Sequence, residues 1–129
     1  RGTVLWRGIA GYSLAGLFAL YSLYQTDLFS RAASVSGSLW YPGIPEYISS
    51  HTMKKTPDYL YFSLGSKEAR TRNPYMQTVQ ENTEKIEKYY REKGIRTVFR
   101  LNPGNHYKDA EKRTSAGLLW LMDGRIKKQ

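Results

Sequence analysis

Cysteine is absent from the 129 residues, which excludes a disulfide scaffold, a thiolate metal site and a cysteine nucleophile. Histidine is almost absent too, so only His51 and His106 can serve as an imidazole base near neutral pH. Apolar runs are short: the longest, around residues 14–20, is broken by Gly16 and falls well below the ~18–20 residues of a membrane span. Acidic residues are scarce, 11 against 20 Lys plus Arg, which leaves a formal charge of +9. That excess attracts anions in general. The basic residues are nevertheless scattered or paired with glutamates, and no helix-turn-helix, RNP or zinc pattern accompanies them, so nucleic acid is not an expected partner. Lys67, Arg70, Arg72, Arg100 and Lys108 form either a steering field for an anionic substrate or a solvated rim. Compartment stays open, with the cytoplasm favoured, because a cysteine-free chain survives in either redox environment.

What is present alternates between strand and helix patterns. Val4-Leu5-Trp6 with Ile9-Ala10 predicts a first strand ending at Gly11. Leu14, Leu17, Phe18, Tyr21 and Tyr24 recur at three and four and predict a helix reaching about residue 25. Residues 32–36 predict a second strand, and residues 39–56, with Pro42, Gly43 and Pro45, a loop around one short helix. A third strand over 59–64 stops at Gly65. Asn73 as cap and Pro74 in the first turn then predict a long helix ending at Gly94. Its expected inner face is Met76, Val79, Thr83, Ile86 and Tyr90, with Glu81/Lys85, Glu84/Lys88 and Glu87/Arg91 as outer i,i+4 pairs. A fourth strand over 97–101 precedes a last helix over 109–122, with Gly124 as its stop. Crossovers of this length require parallel strands and right-handed connections. The fold class is therefore α/β, a three-layer α/β/α arrangement with a parallel sheet. Ligands bind such sheets outside the carboxyl ends of the strands, so the loops starting at Gly11, Gly37, Gly65 and Asn102 are the ones that carry chemistry.

The first of these loops reads Gly11-Tyr12-Ser13-Leu14-Ala15-Gly16. A serine flanked by small residues between a buried strand and a helix is the context of a nucleophile elbow. A missing side chain at Gly11 permits the sharp turn, and the Leu14 N–H faces a developing oxyanion. The competing reading is an ordinary strand-to-helix turn capped by serine. A hydroxyl needs a base. His106, in Pro103-Gly104-Asn105-His106-Tyr107, follows the fourth strand on the ligand side, whereas His51 lies in a polar stretch that nothing places. The third member should be a carboxylate between serine and histidine in chain order. Glu68, just past the third strand, fits, with Glu46 in reserve; Asp109 reads as the cap of the last helix.

The order Ser13…Glu68…His106 and the segments around it are similar to a known family. Gly11–Leu20, Ser36-Gly37-Ser38-Leu39-Trp40, Ser63-Leu64-Gly65-Ser66-Lys67-Glu68 and Pro103-Gly104-Asn105-His106-Tyr107 resemble the esterase branch of the α/β-hydrolase superfamily. That branch includes the siderophore (enterobactin-type) trilactone esterases and is related to esterase D and the mycolyltransferases. The resemblance implies a serine esterase that needs no cofactor or metal and acts on a small-molecule ester. In it Ser13 is the nucleophile, His106 the base and then acid, and Glu68 the carboxylate. Leu14, Tyr12 and Trp40 would serve the oxyanion and the substrate. An acyltransferase on the same machinery, or a silent hydrolase-like binding domain, are the alternatives.

The resemblance covers the second half of such proteins, so residues 1–129 are expected to form a single partial domain whose N-terminal half is absent. In the family's strand order the first strand would then leave an edge bare, which implies self-association through the strand expected over residues 4–10, or association with the missing half.

Overall fold

The computed structural model describes residues 2–123. It has four strands, β1 (Gly8–Tyr12), β2 (Arg31–Val35), β3 (Tyr59–Gly65) and β4 (Arg96–Asn102), and four helices, α1 (Leu14–Ser22), α2 (Ile44–Ser50), α3 (Val79–Glu92) and α4 (Ala110–Asp123). The strands are parallel and lie side by side in chain order. Right-handed crossovers that always advance in one direction put every connecting helix on the same face. Accordingly α1, α2 and α3 share one layer, and α4, which follows the last strand, covers the other.

Period-two alternation feeds both layers. Ala32, Leu60 and Phe62 join Leu20, Leu23, Ile86 and Tyr90 in the core under the connecting helices. Their neighbours Ala33, Val35 and Tyr61 point the other way, onto Trp120 and Leu121 of α4. Central strands buried on both faces are the reason that 32–36 and 59–64 read as short apolar runs with little polar alternation.

The structure differs from the sequence reading at several element ends. Val4-Leu5-Trp6 is not strand: pairing begins at Gly8 opposite Arg31, the first residue of β2. Val4 and Leu5 are 58% and 85% exposed. Trp6 instead covers the Arg31 guanidinium at 3.9 Å. Helix α1 ends at Ser22, and its chain continues in i→i+3 turns through Gln25. Before α3, Asn73 Oδ1 accepts the N–H groups of Tyr75 (2.9 Å) and Met76 (3.3 Å), and a 3₁₀ turn over Met76–Thr78 follows. That tighter turn shifts the phase. Met76 is therefore 38% exposed, while Val79, Thr83, Ile86 and Tyr90 do form the buried stripe. Of the three acid-first pairs, Glu87–Arg91 forms at 3.0 Å. Glu84 accepts instead from Gln80 (3.1 Å), and Lys88 pairs forward with Glu92 (3.2 Å). The Gly124 stop lies outside the described residues.

Helix α1 is apolar on two sides. Gly16, Ala19 and Leu20 face the sheet, while Leu14, Phe18 and Tyr21 are exposed and, with Tyr41 and Ile44, line a groove of about 580 Å3. On α4, Leu118, Leu119 and Met122 are likewise exposed. Among the described residues β1 has a strand partner on one side only. No helix among them is long and apolar enough to cross a membrane.

Candidate active site

The β1–α1 turn brings Gly11 against the backbone of Ala15. A Cβ on Gly11 would sit 2.1 Å from the Ala15 carbonyl oxygen, so only glycine fits there. Two residues on, Ser13 adopts φ 64°, ψ −124°, a backbone that side chains other than glycine's rarely adopt. Such a residue costs about 1–3 kcal/mol and persists only when its surroundings hold it. Here they do: Ser13 N–H donates to Val35 (3.0 Å), and its carbonyl accepts from Gly16 (2.9 Å), Leu17 (3.3 Å) and Ser38 (3.1 Å). Leu14 opens α1, so its N–H is among those with no acceptor inside the helix.

The loops after β3 and β4 are laced to each other. Ser66 N–H donates to Asn102 (2.7 Å) and Lys67 N–H to Gly104 (2.9 Å). A Cβ on Gly65 would lie 2.5 Å from the Gly104 oxygen and 2.6 Å from that of Asn105, so the absence of a side chain sets how closely the loops approach.

Three predicted residues meet where these loops converge. His106 Nε2 lies 3.0 Å from Ser13 Oγ, and its Nδ1 lies 2.8 Å from Glu68 Oε1. The Glu68 side chain is 5% exposed and that of His106 27%. A carboxylate buried this deeply needs donors. Besides the imidazole, Glu68 accepts from Gly65 N–H (2.7 Å) and Ser36 Oγ–H (2.5 Å), both on Oε2. A carboxylate only accepts, so Nδ1 carries the proton toward Oε1 and Nε2 is left bare to accept from Ser13 Oγ–H.

Two more groups hold the histidine. Tyr12 stacks on the imidazole (centroids 4.9 Å apart, planes 25°) and donates its hydroxyl to the His106 carbonyl at 2.7 Å. Burial pushes the Tyr12 phenol up from its usual value, with Glu68 adding to the rise and Arg113 opposing it, so it stays a donor. Its hydroxyl is thus engaged with the protein itself. Arg113 of α4, 4% exposed at its side chain, donates to the His106 carbonyl (2.8 Å), the Lys108 carbonyl (2.9 Å) and Ser36 Oγ (2.5 Å). Sequence reasoning missed Arg113 and Ser36. A signal existed: Arg113, Gly117, Trp120 and Leu121 form the buried stripe of α4, and an arginine on a core-facing stripe demands a buried partner.

The remaining predicted residues lie apart from this cluster. Trp40 is half-buried beyond β2, its ring tilted against Tyr41 at 6.3 Å; the same loop is tied to the serine through Ser38 N–H. Glu46 is exposed in the first turn of α2, so Glu68 is the carboxylate that reaches the imidazole. His51 stacks on Tyr47 at 3.9 Å and caps α2. Asp109, at φ 54°, precedes α4, and its carbonyl accepts the Arg113 N–H. Lys67, Arg70, Arg72 and Lys108 are exposed.

No protein-family model matches the chain. The Uncharacterized protein YbbA of Bacillus subtilis (strain 168) is 29% identical over 90 residues, covering 69% of this chain and 36% of that protein. Among solved structures the chain is similar to siderophore hydrolase EstA from Aspergillus nidulans, at 18% identity and a TM-score of 0.65 over 92% of this chain and 49% of that one. It is similar also to the enterobactin esterase FES from Shigella flexneri, at 20% identity and a TM-score of 0.69 over 92% of this chain and 32% of that one. The acylaminoacyl peptidase of Pyrococcus horikoshii matches at 14% identity and a TM-score of 0.57, over 90% of this chain and 23% of that one. The chain therefore has the α/β-hydrolase fold, and it spans half or less of the length of each protein it matches.

Proposed function

We propose that the chain carries the reacting side chains of a serine hydrolase that cleaves carboxylic esters. The observation that carries this reading is the line of contacts from Ser13 Oγ through His106 to Glu68, 3.0 and 2.8 Å long. In this reading they are a catalytic triad on a nucleophile elbow. As Ser13 Oγ attacks the ester carbonyl carbon, its proton passes to His106 Nε2. Negative charge gathers on the carbonyl oxygen, which the Leu14 N–H stabilises. The imidazolium, held by Glu68, then returns its proton to the departing alkoxide, and an acyl group is left on Ser13. Water repeats the sequence: His106 takes its proton, the hydroxide attacks the acyl carbon, and the acid leaves as Ser13 regains its hydrogen.

A siderophore-type ester is the favoured substrate class, on the combined likeness to EstA and FES. Such hydrolases draw a second oxyanion N–H from a loop after an earlier strand. Residues 1–129 alone are accordingly expected to turn over poorly, since one missing donor costs about 3 kcal/mol of transition-state stabilisation. The test is labelling with a fluorophosphonate, which needs the activated serine and not full turnover. Labelling that maps to Ser13, and that Ser13→Ala and His106→Ala each abolish, is the expected result. Folded protein that the probe leaves untouched would overturn the reading.

A further inference from the structure

We infer that Arg113 is a positioning residue for His106 and Glu68, acting through the Ser36 hydroxyl and the loop that presents the imidazole. The inference rests on the reading of Ser13, His106 and Glu68 as a reacting set.

The argument is one of proton direction. A guanidinium has donors and no acceptor. Arg113 NH1 donates to Ser36 Oγ at 2.5 Å, so the single hydroxyl proton of Ser36 has to point elsewhere, and the group it meets is Glu68 Oε2, also at 2.5 Å. The same Oε2 takes the Gly65 N–H. Two donors thus converge on Oε2, and Arg113 NH1 itself lies 3.9 Å from that oxygen. Oε1 is then left for His106 Nδ1–H. Arg113 thus orients the Ser36 proton onto Oε2, and so helps hold Oε1 toward His106 Nδ1–H.

The backbone contacts of Arg113 do a second job. Its Nε and NH2 reach the carbonyls of Lys108 and His106, which bracket the turn leading into α4. The NH2 group and the Tyr12 hydroxyl together fill both acceptor sites of the His106 carbonyl. One planar cation thus ties the end of β2, the loop after β3 and the loop after β4 to α4. Lysine offers a single point of donation and cannot span three acceptors in this way.

The test compares wild type, Arg113→Ala, Arg113→Lys and Ser36→Ala by circular dichroism, fluorophosphonate labelling rate and proton NMR. The NMR signal followed is the strongly deshielded imidazole Nδ1–H held by Glu68. Arg113→Ala is expected to slow labelling by about 10²-fold, the penalty of a small misplacement of reacting groups, and to lose the deshielded signal. Free guanidinium in the buffer should restore part of both, an effect a purely structural arginine would not show. Arg113→Lys should recover less than rescue by guanidinium. Ser36→Ala, which leaves the arginine in place, should move both readouts in the same direction and keeps the proposal falsifiable should Arg113→Ala not fold. A labelling rate and Nδ1–H signal unchanged in folded Arg113→Ala, or in Ser36→Ala, would overturn it. If wild-type protein shows the Nδ1–H signal but never labels, the hydrolase reading fails while the positioning role is still decided by the NMR comparison.

Discussion

Adding one methyl group at Gly65 offers a demanding test of how the two loops set the serine–histidine contact. The new Cβ of Gly65→Ala would start 2.5 Å from the Gly104 oxygen, 2.6 Å from the Asn105 oxygen and 3.0 Å from the Asn105 carbonyl carbon. Contacts under 3.0 Å essentially never occur, and the opposing atoms are backbone, so the 104–105 segment must retreat by about half an ångström or more. His106 is the next residue. Its carbonyl is pinned by Tyr12 and Arg113, so the displacement is taken up in the ring position. A 3.0 Å contact to Ser13 Oγ would lengthen to about 3.5 Å, the outer limit of a hydrogen bond. Overpacking of this kind costs about 1–3 kcal/mol of stability, and a shift of this size in a reacting group costs about 10–10²-fold in rate. The assay pairs thermal unfolding with fluorophosphonate labelling of Ser13. A Gly65→Ala protein with unchanged Tm and wild-type labelling would refute the claim that close loop packing sets the site geometry.

Replacing Glu68 with glutamine is expected to lower labelling and ester turnover by about 10⁴-fold with a much smaller change in Tm. An amide nitrogen facing Nδ1 stabilises the tautomer that cannot accept the serine proton; a loss below tenfold in stopped kinetics would argue against the carboxylate role. Ser13→Gly should relieve the φ 64° backbone and stabilise the fold by about 1 kcal/mol relative to Ser13→Ala. That corresponds to roughly 4 °C in Tm, while both variants fail to label; equal Tm values would deny the strain. The buried Tyr24 and Tyr90 hydroxyls lie 2.7 Å apart, and burial pushes Tyr24 up to about 12 and Tyr90 well above the usual 10.0. The folded state holds these protons more tightly than the unfolded one, so their contribution is intact below pH 10 and is lost as pH rises toward 12. The slope is ~1.4 kcal/mol per pH unit per tyrosine, and alkaline urea titrations should show a shallower decline in Tyr24→Phe. Finally, the edge of β1 that has no strand partner among the described residues and the exposed Phe18, Tyr21 and Leu119 predict self-association of residues 1–129. Sedimentation should show it weakened by Phe18→Glu with Tyr21→Glu, and a concentration-independent monomer would exclude it.

Element order, the parallel arrangement and the sheet edge at which Ser13, Glu68 and His106 meet were all legible in the sequence. Those features follow from local spacing: apolar period, glycine and proline punctuation, and crossovers too long for anything but parallel strands. Loops that begin at Gly11, Gly65 and Asn102 must then surface along one sheet edge, which is how Ser13, Glu68 and His106 could be picked out of a chain with two histidines. Periodicity reports only that a residue faces something. It could not say that the Leu14–Phe18–Tyr21 side of α1 would stand exposed, that Asn73 would start a 3₁₀ turn and swing Met76 outward, or that Val4 to Trp6 would find no partner strand among the described residues. Nor could it connect Arg113 with Ser36 and Glu68, positions 77 and 45 residues away from it along the chain. That connection exists because α4 folds back across the face opposite the other helices and delivers its first inward-facing side chain beneath the site. Only the packing of a helix against strands distant in sequence decides what a buried charge will meet.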